Sequence, residues 1–215
     1  MMVKAILFDL DGTLRDTMEV VYRAMEQTVT LHNGKSATRE DIKPHVHHHS
    51  AVHAALSPQA NYEDWLQTYR ELLGTSWMDA PFFQHTEALL QELKMMGYRL
   101  GVVTSADYGR TVEYLSYRNL DDYFEVVVGM REGVQPKPAP DMMLEAMRQL
   151  GCKPSHTITI GDMPTDVAAA HAAGIACVGV TYGFGSREDL EAAGADLIID
   201  SLAEFPHAIT QLSTA

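Results

Sequence analysis

Val3-Lys4-Ala5-Ile6-Leu7-Phe8-Asp9-Leu10-Asp11-Gly12-Thr13 is the stretch that decides the architecture of this chain. Val3–Phe8 is a short, nearly continuous apolar run that ends at a Gly-containing turn. Apolar residues at successive positions point to both faces of a strand, so the run suits a parallel sheet covered on both sides. Similar runs recur at Arg99–Thr104, Glu125–Val128, Thr157–Ile160, Ile175–Val180 and Asp196–Ile199. Between them Gln84–Met96, Asp107–Asn119, Asp141–Leu150, Pro164–Ala173 and Arg187–Ala193 space apolar residues three to four apart, and Gly97, Gly151, Gly174 and Gly194 stand where helices stop. Strand and helix in alternation predict an α/β fold, a doubly wound, mainly parallel Rossmann-like sheet.

One segment breaks the alternation. Residues 16–79 carry helical patterns at Met18–Leu31, Glu40–Leu56 and Tyr62–Leu73 and no convincing strand. The expected organisation is therefore an α/β catalytic core of residues 1–15 and 80–215 with an inserted α-helical cap domain at 16–79. A length of 215 residues suits one core with an insertion. Trp65 and Trp77 are expected to pack the cap or its hinge, and Met95-Met96 and Met142-Met143 to fill the core and the surface beside it.

Composition narrows the function. With 46% hydrophobic and 21% charged residues the chain is globular. Acidic residues number 29 against 16 basic, a formal charge of -13. No cluster of Lys and Arg is available for a nucleic-acid backbone, which excludes that partner. Any site for a small anion must carry its own positive device, a metal ion or a buried Lys. Cys152 and Cys177 have no metal-type spacing, and Cys177 sits in an apolar run, as expected of reduced thiols in a cytoplasmic protein. No apolar run approaches membrane-spanning length, and the N-terminal run turns acidic at Asp9 before a leader core is complete. Oligomeric state is not written in the pattern.

Open α/β sheets bind ligands beyond the carboxyl ends of their strands, so the polar residues there belong to one set. The set is Asp9 and Asp11 after the first strand, Thr104 and Ser105 after the second, Lys137 in Pro136-Lys137-Pro138 after the third, and Asp162 with Asp166 after the fourth. Crowded carboxylates repel one another unless a cation neutralises them. Mg2+ takes oxygen ligands and needs few protein carboxylates, so Asp9 and Asp162 are candidate ligands and Asp166 an outer partner. A carboxylate can attack phosphorus, which makes Asp9 the candidate nucleophile. Asp11 is placed to protonate the leaving group and later to accept a proton from water. Gly12 permits a tight turn and Thr13 can hydrogen-bond within it. Lys137, the Thr104 hydroxyl and the Ser105 amide suit the equatorial phosphoryl oxygens.

In these residues the chain resembles the haloacid dehalogenase superfamily of hydrolases with a helical cap, and in Gly179-Val180-Thr181-Tyr182-Gly183-Phe184-Gly185 and Gly194-Ala195-Asp196-Leu197-Ile198-Ile199-Asp200 it is similar to the phosphoglycolate phosphatase-like branch. Asp9-Leu10-Asp11-Gly12-Thr13, Thr104-Ser105, Lys137 with its prolines, and Gly161-Asp162 with Asp166 look like its four motifs in order. The resemblance implies an aspartyl-phosphate intermediate and adds the backbone carbonyl of Asp11 to the Mg2+ site of Asp9, Asp162 and Asp166. The expected substrate is a small phosphorylated metabolite, phosphoglycolate-like or a sugar phosphate. Relatives often carry Gly after the Val of a cap segment like Pro44-His45-Val46, where this chain has His47, a candidate substrate contact. A phosphosugar mutase, a pyrophosphatase and a non-catalytic phosphate-binding regulator are the alternatives. Mutase relatives commonly have a bulky apolar residue in place of Thr13, and a non-catalytic protein would be expected to lose at least one motif residue. The His45–His49 cluster reads as a solvated cap face or as substrate-contacting imidazoles in preference to a metal site, because no acidic or Cys ligand completes it.

Overall fold

The computed structural model describes residues 2–46, 49–74 and 76–214. The chain divides into two compact units, Met1–Asp16 with Phe82–Ala215, and Thr17–Pro81. The first unit holds strands β1 (Ala5–Phe8), β2 (Arg99–Asp107), β3 (Val126–Met130), β4 (Thr157–Gly161), β5 (Ala176–Val180) and β6 (Leu197–Ile199). The second holds helices α1 (Met18–Asn33), α2 (Arg39–Ile42), α3 (His49–Leu56) and α4 (Tyr62–Leu73). Helices α5 (Thr86–Met95), α6 (Tyr108–Tyr117), α7 (Asp141–Leu150), α8 (Pro164–Ala172), α9 (Arg187–Ala193) and α10 (Phe205–Thr214) belong to the first unit.

The six strands form one sheet in the order β3-β2-β1-β4-β5-β6. Every neighbouring pair is parallel. The winding reverses between β1 and β4, which opens a crevice at their carboxyl ends. β1 and β4 are buried at every position, as their unbroken apolar runs require. Phe8 is level with Val102 on one side and Ile160 on the other, so the residues that follow these strands emerge together.

Successive side chains of a strand serve opposite faces. Ala5 and Leu7 of β1 join Val103, Val126 and Val128 in a core with Met142, Met143, Ala146, Met147 and Leu150 of α7. Both Met142 and Met143 are buried, whereas Met95 and Met96 at the end of α5 are exposed. Phe8 serves the other face and meets the rings of Phe124 at 6.2 Å and Phe205 at 5.9 Å, both edge-on. Phe205 opens α10, a helix that the apolar spacing did not predict.

Two differences have local causes. The helical pattern expected over Glu40–Leu56 is interrupted: α2 ends at Ile42 and a 3-10 turn occupies Lys43–His45. Pro44 has no N–H to continue the ladder. β2 runs past Thr104 to Asp107, with a register shift against β3 between Val103 and Asp107. In the helical unit Asn61 caps α4 by accepting from the amides of Glu63 and Asp64. Trp65 is buried and stacks on Tyr69 at 5.9 Å, while His53 meets Trp65 edge-on at 5.7 Å. The described histidines His49 and His53 are thus engaged within their own unit: His49 shares a hydrogen bond with the Tyr62 hydroxyl at 2.8 Å, and His53 one with the Ala60 carbonyl at 2.9 Å.

Candidate active site

Asp9 is the first residue beyond β1, and its amide donates to the Ile160 carbonyl at 2.9 Å, which ties it to the end of β4. Lys137 comes from the loop between β3 and α7. Its ammonium donates to Asp9 Oδ1 at 2.5 Å, to Asp166 Oδ1 at 2.5 Å and to the Val103 carbonyl at 3.2 Å. All three donor positions of a lysine are thereby used. Asp166 also acts on its own helix, where its Oδ2 accepts from the Met163 amide at 3.0 Å and closes the first turn of α8.

Asp162 is held from two directions. Thr13 Oγ1 donates to its Oδ1 at 3.2 Å, and the Phe184 amide donates to its Oδ2 at 2.7 Å. The Thr13 hydroxyl therefore does not serve its own turn, as expected from sequence, but reaches a residue on a different strand end. Tyr182 adds a further tie by donating from its hydroxyl to the Thr13 carbonyl at 2.9 Å. This approach depends on two glycines. A Cβ on Gly12, which has φ +88°, would lie 2.2 Å from Asp162 Oδ2, and one on Gly183 would lie 2.3 Å from the same oxygen. Both contacts are far below any tolerated separation.

Asp9, Asp162 and Asp166 offer oxygens that all lie within 4.8 Å of one another, the one group of three or more potential metal ligands among the described residues. All three are buried. Burial pushes the Asp9 carboxyl up from 3.8 to about 7 against the opposing pull of Lys137, with Asp166 adding to the rise. Burial, then the charges of Asp9 and Asp166, likewise raise Asp162 well above its ordinary value. Burial alone would lower the Lys137 pKa, but Asp166 and Asp9 outweigh it and keep the ammonium charged. One lysine against three carboxylates leaves a local excess of negative charge in a dry site. An all-oxygen donor set with that excess fits a hard dication such as Mg2+.

Asp11 stands apart from this cluster and is bound by both oxygens to Arg15, with Nε to Oδ1 at 2.7 Å and the second guanidinium nitrogen to Oδ2 at 3.0 Å. Thr104 is buried, and its hydroxyl accepts from the Ala106 amide at 3.1 Å, directly after the Val103 carbonyl that receives Lys137. Ser105 is half-buried beside it. His47 lies outside the described residues. Sequence reasoning gave no site role to two contributors: the Thr181–Gly185 segment, read only as resembling phosphoglycolate phosphatases, which supplies the Phe184 amide, and Arg15. Gly183 and Gly185 flanking Phe184 were the available signal for the first, because closely spaced glycines mark close backbone approach.

The reversal of winding, the buried acidic centre at that point and the lysine bonded into it define the chain as an α/β enzyme whose centre could hold a metal ion. A sequence model of the haloacid dehalogenase-like hydrolases matches residues 6–180, and the chain belongs to that family of enzymes. It is 29% identical over 209 residues to pyrophosphatase PpaX of Bacillus cereus strain AH820, covering 95% of each chain. It superposes with a TM-score of 0.81 on a predicted phosphoglycolate phosphatase of Haemophilus somnus, 25% identical, over 96% of this chain and 97% of the other. CbbY of Rhodobacter sphaeroides, crystallised with xylulose 1,5-bisphosphate, matches with a TM-score of 0.79 and 25% identity over 94% of this chain and 96% of the other. No helix among the described residues is long and apolar enough to cross a membrane.

Proposed function

We propose that this hydrolase is a Mg2+-dependent phosphatase that cleaves a small phosphate monoester through an aspartyl-phosphate intermediate on Asp9. The observation that carries the reading is the buried Asp9 carboxylate paired with the Lys137 ammonium at 2.5 Å beside Asp162 and Asp166. A carboxylate oxygen of Asp9 attacks phosphorus, an acyl-phosphate bond forms, and the bond from phosphorus to the leaving oxygen breaks. Asp11 gives that oxygen its proton. In the second step Asp11 takes a proton from water as the water oxygen attacks phosphorus, which frees phosphate and regenerates Asp9. Lys137 offsets charge at the transferring group, and the Thr104 hydroxyl and Ser105 amide bind its oxygens. Asp9, Asp162 and the Asp11 carbonyl would hold Mg2+, with Asp166 as an outer partner, and the metal would supply charge neutralisation at the phosphoryl oxygens.

Two of the related proteins are named for pyrophosphate and phosphoglycolate and the third was crystallised with a sugar bisphosphate, so the shared core leaves substrate choice to other residues. In this reading the unit Thr17–Pro81 is the cap that selects the small phosphorylated metabolite, with His47 among its substrate contacts. The other unit, Met1–Asp16 with Phe82–Ala215, is the catalytic core, within two residues of the 1–15 and 80–215 expected from the sequence. Pyrophosphate is the second substrate reading, favoured by the 29% identity to PpaX. A cytoplasmic setting suits the free thiols of Cys152 and Cys177. The test is hydrolysis of an aryl phosphate with Mg2+, with EDTA, and by Asp9→Asn, followed by a panel of pyrophosphate, phosphoglycolate and sugar phosphates. No turnover by the wild type with Mg2+, or full activity of Asp9→Asn, would overturn the reading.

A further inference from the structure

The turn after β1 brings a second charged residue to Asp11. The amides of Thr13, Leu14 and Arg15 all point at the Leu10 carbonyl, at 3.3, 3.0 and 3.0 Å, and the Gly12 amide donates back to the Arg15 carbonyl at 2.9 Å. This folds the chain on itself so tightly that Arg15 lies opposite Asp11, and Arg15 is pinned on its far side by a bridge to Phe82. The guanidinium is also seated on a ring: its carbon lies 4.1 Å from the centroid of Tyr114, a fully buried residue of α6. Arg118 flanks the same arrangement, 4.0 Å over Phe82 and 5.8 Å from Tyr114.

The Arg15 side chain is 4% exposed, whereas that of Asp11 is 27% exposed. A solvated surface pair would have both ends in water and little fixed geometry. Here a buried, ring-stacked guanidinium grips a carboxylate that is still open to the outside. Two-point pairing fixes the plane of the carboxylate as well as its position. A carboxylate has about four lone-pair sites. Two are engaged by Arg15, one on each oxygen, which sets the direction in which the carboxylate faces.

We propose that Arg15 is a positioning residue that fixes the carboxylate of Asp11 for proton transfer to the leaving group, so that cleavage of substrates with poor leaving groups depends on it. The inference rests on the phosphatase reading of Asp9 and Asp11 and deepens it. Loss of the clamp removes the two-point hold on the Asp11 carboxylate, and a misplaced acid fails most where the departing oxygen needs a proton, as from an alkyl phosphate. A nitrophenolate leaves without one.

The experiment compares kcat/KM, which reports the step that expels the leaving group, for glycerol 2-phosphate and 4-nitrophenyl phosphate with the full chain and Mg2+. Arg15→Met is expected to lower the alkyl value about a hundredfold and the aryl value by no more than about threefold. Arg15→Lys, which retains one charged contact, should fall between wild type and Arg15→Met. In an Asp11→Asn background Arg15→Met should cost less than about threefold on the alkyl substrate, because the group it positions is gone. Thermal melts accompany each variant, and if Arg15→Met does not fold, Arg15→Lys carries the same comparison. Equal losses on both substrates, or a full additional loss in the Asp11→Asn background, would show a structural role and overturn the proposal. A wild type inactive on both substrates would overturn the phosphatase reading and this inference with it. An active wild type, an inactive Asp9→Asn and an unchanged alkyl-to-aryl ratio would sink this inference alone.

Discussion

Replacing Asp9 by Asn should abolish turnover and, in the absence of metal, make the protein more stable at alkaline pH. The native state holds the Asp9 proton more tightly than the unfolded chain does, since its pKa rises from 3.8 to about 7. The stability tied to this group is therefore complete below pH 3.8 and is lost as the pH rises through 7. Each unit corresponds to 1.36 kcal/mol, so relative to acid pH the native state loses about 4 kcal/mol at pH 8, where Asp9 is ionised, and about 2 kcal/mol at pH 5, where it is protonated in the native state and ionised in the unfolded chain. The attraction of Lys137 is already contained in that value. Asn has no charge to bury, and its carbonyl can still accept from Lys137. Urea denaturation in EDTA should show Asp9→Asn more stable than wild type by up to about 4 kcal/mol at pH 8, shrinking to about half at pH 5. In a thermal scan the upper limit corresponds to a rise in Tm on the order of 10 °C. Saturating Mg2+ should narrow the gap, because the ion stabilises the wild-type cluster by about 2.7 kcal/mol at a hundred times its Kd. A variant no more stable than wild type at pH 8 in EDTA, or a gain that does not change with pH, would refute the electrostatic account of this site.

Lys137→Met should eliminate activity and destabilise the fold by roughly 3–5 kcal/mol at pH 8, because it strands Asp9 and Asp166 without their shared cation; a wild-type denaturation midpoint would contradict this. Gly183→Ala should weaken Mg2+ activation about tenfold or more, since the new Cβ would lie 2.3 Å from Asp162 Oδ2, and a metal titration of activity reads it directly. Tyr182→Phe removes the hydroxyl bonded to the Thr13 carbonyl and should cost about 1 kcal/mol in urea denaturation, with little change in the reaction on an aryl phosphate. His47→Gly should alter the ranking within a panel of phosphorylated metabolites while leaving aryl phosphate hydrolysis within about threefold of wild type; an unchanged ranking would remove His47 from substrate selection.

The apolar runs and their Gly stops determined much of the core without any coordinates. A strand covered on both faces has no solvated side to interrupt it, so β1 and β4 are visible as sequence. The convergence of Asp9, Lys137, Asp162 and Asp166 was legible for a related reason: parallel strands all end at one edge, so residues at their carboxyl ends meet whatever their separation along the chain. Other features had no local signature. α10 depends on Phe205 docking on Phe8, and the break at Pro44 decided where one expected helix became two. The Phe184 amide reaches Asp162 only because the segment after β5 returns over Gly12 and Gly183, and backbone donors carry no residue identity. Arg15 lies four residues after Asp11, a spacing that pairs side chains on a helix, but here a tight turn around the Leu10 carbonyl does so. Sequence determined which groups stand at the strand ends, because that follows from periodicity. Tertiary structure decided which of them are gripped, and by what, because hydrogen bonds and buried charges take their partners from whichever part of the chain packs beside them.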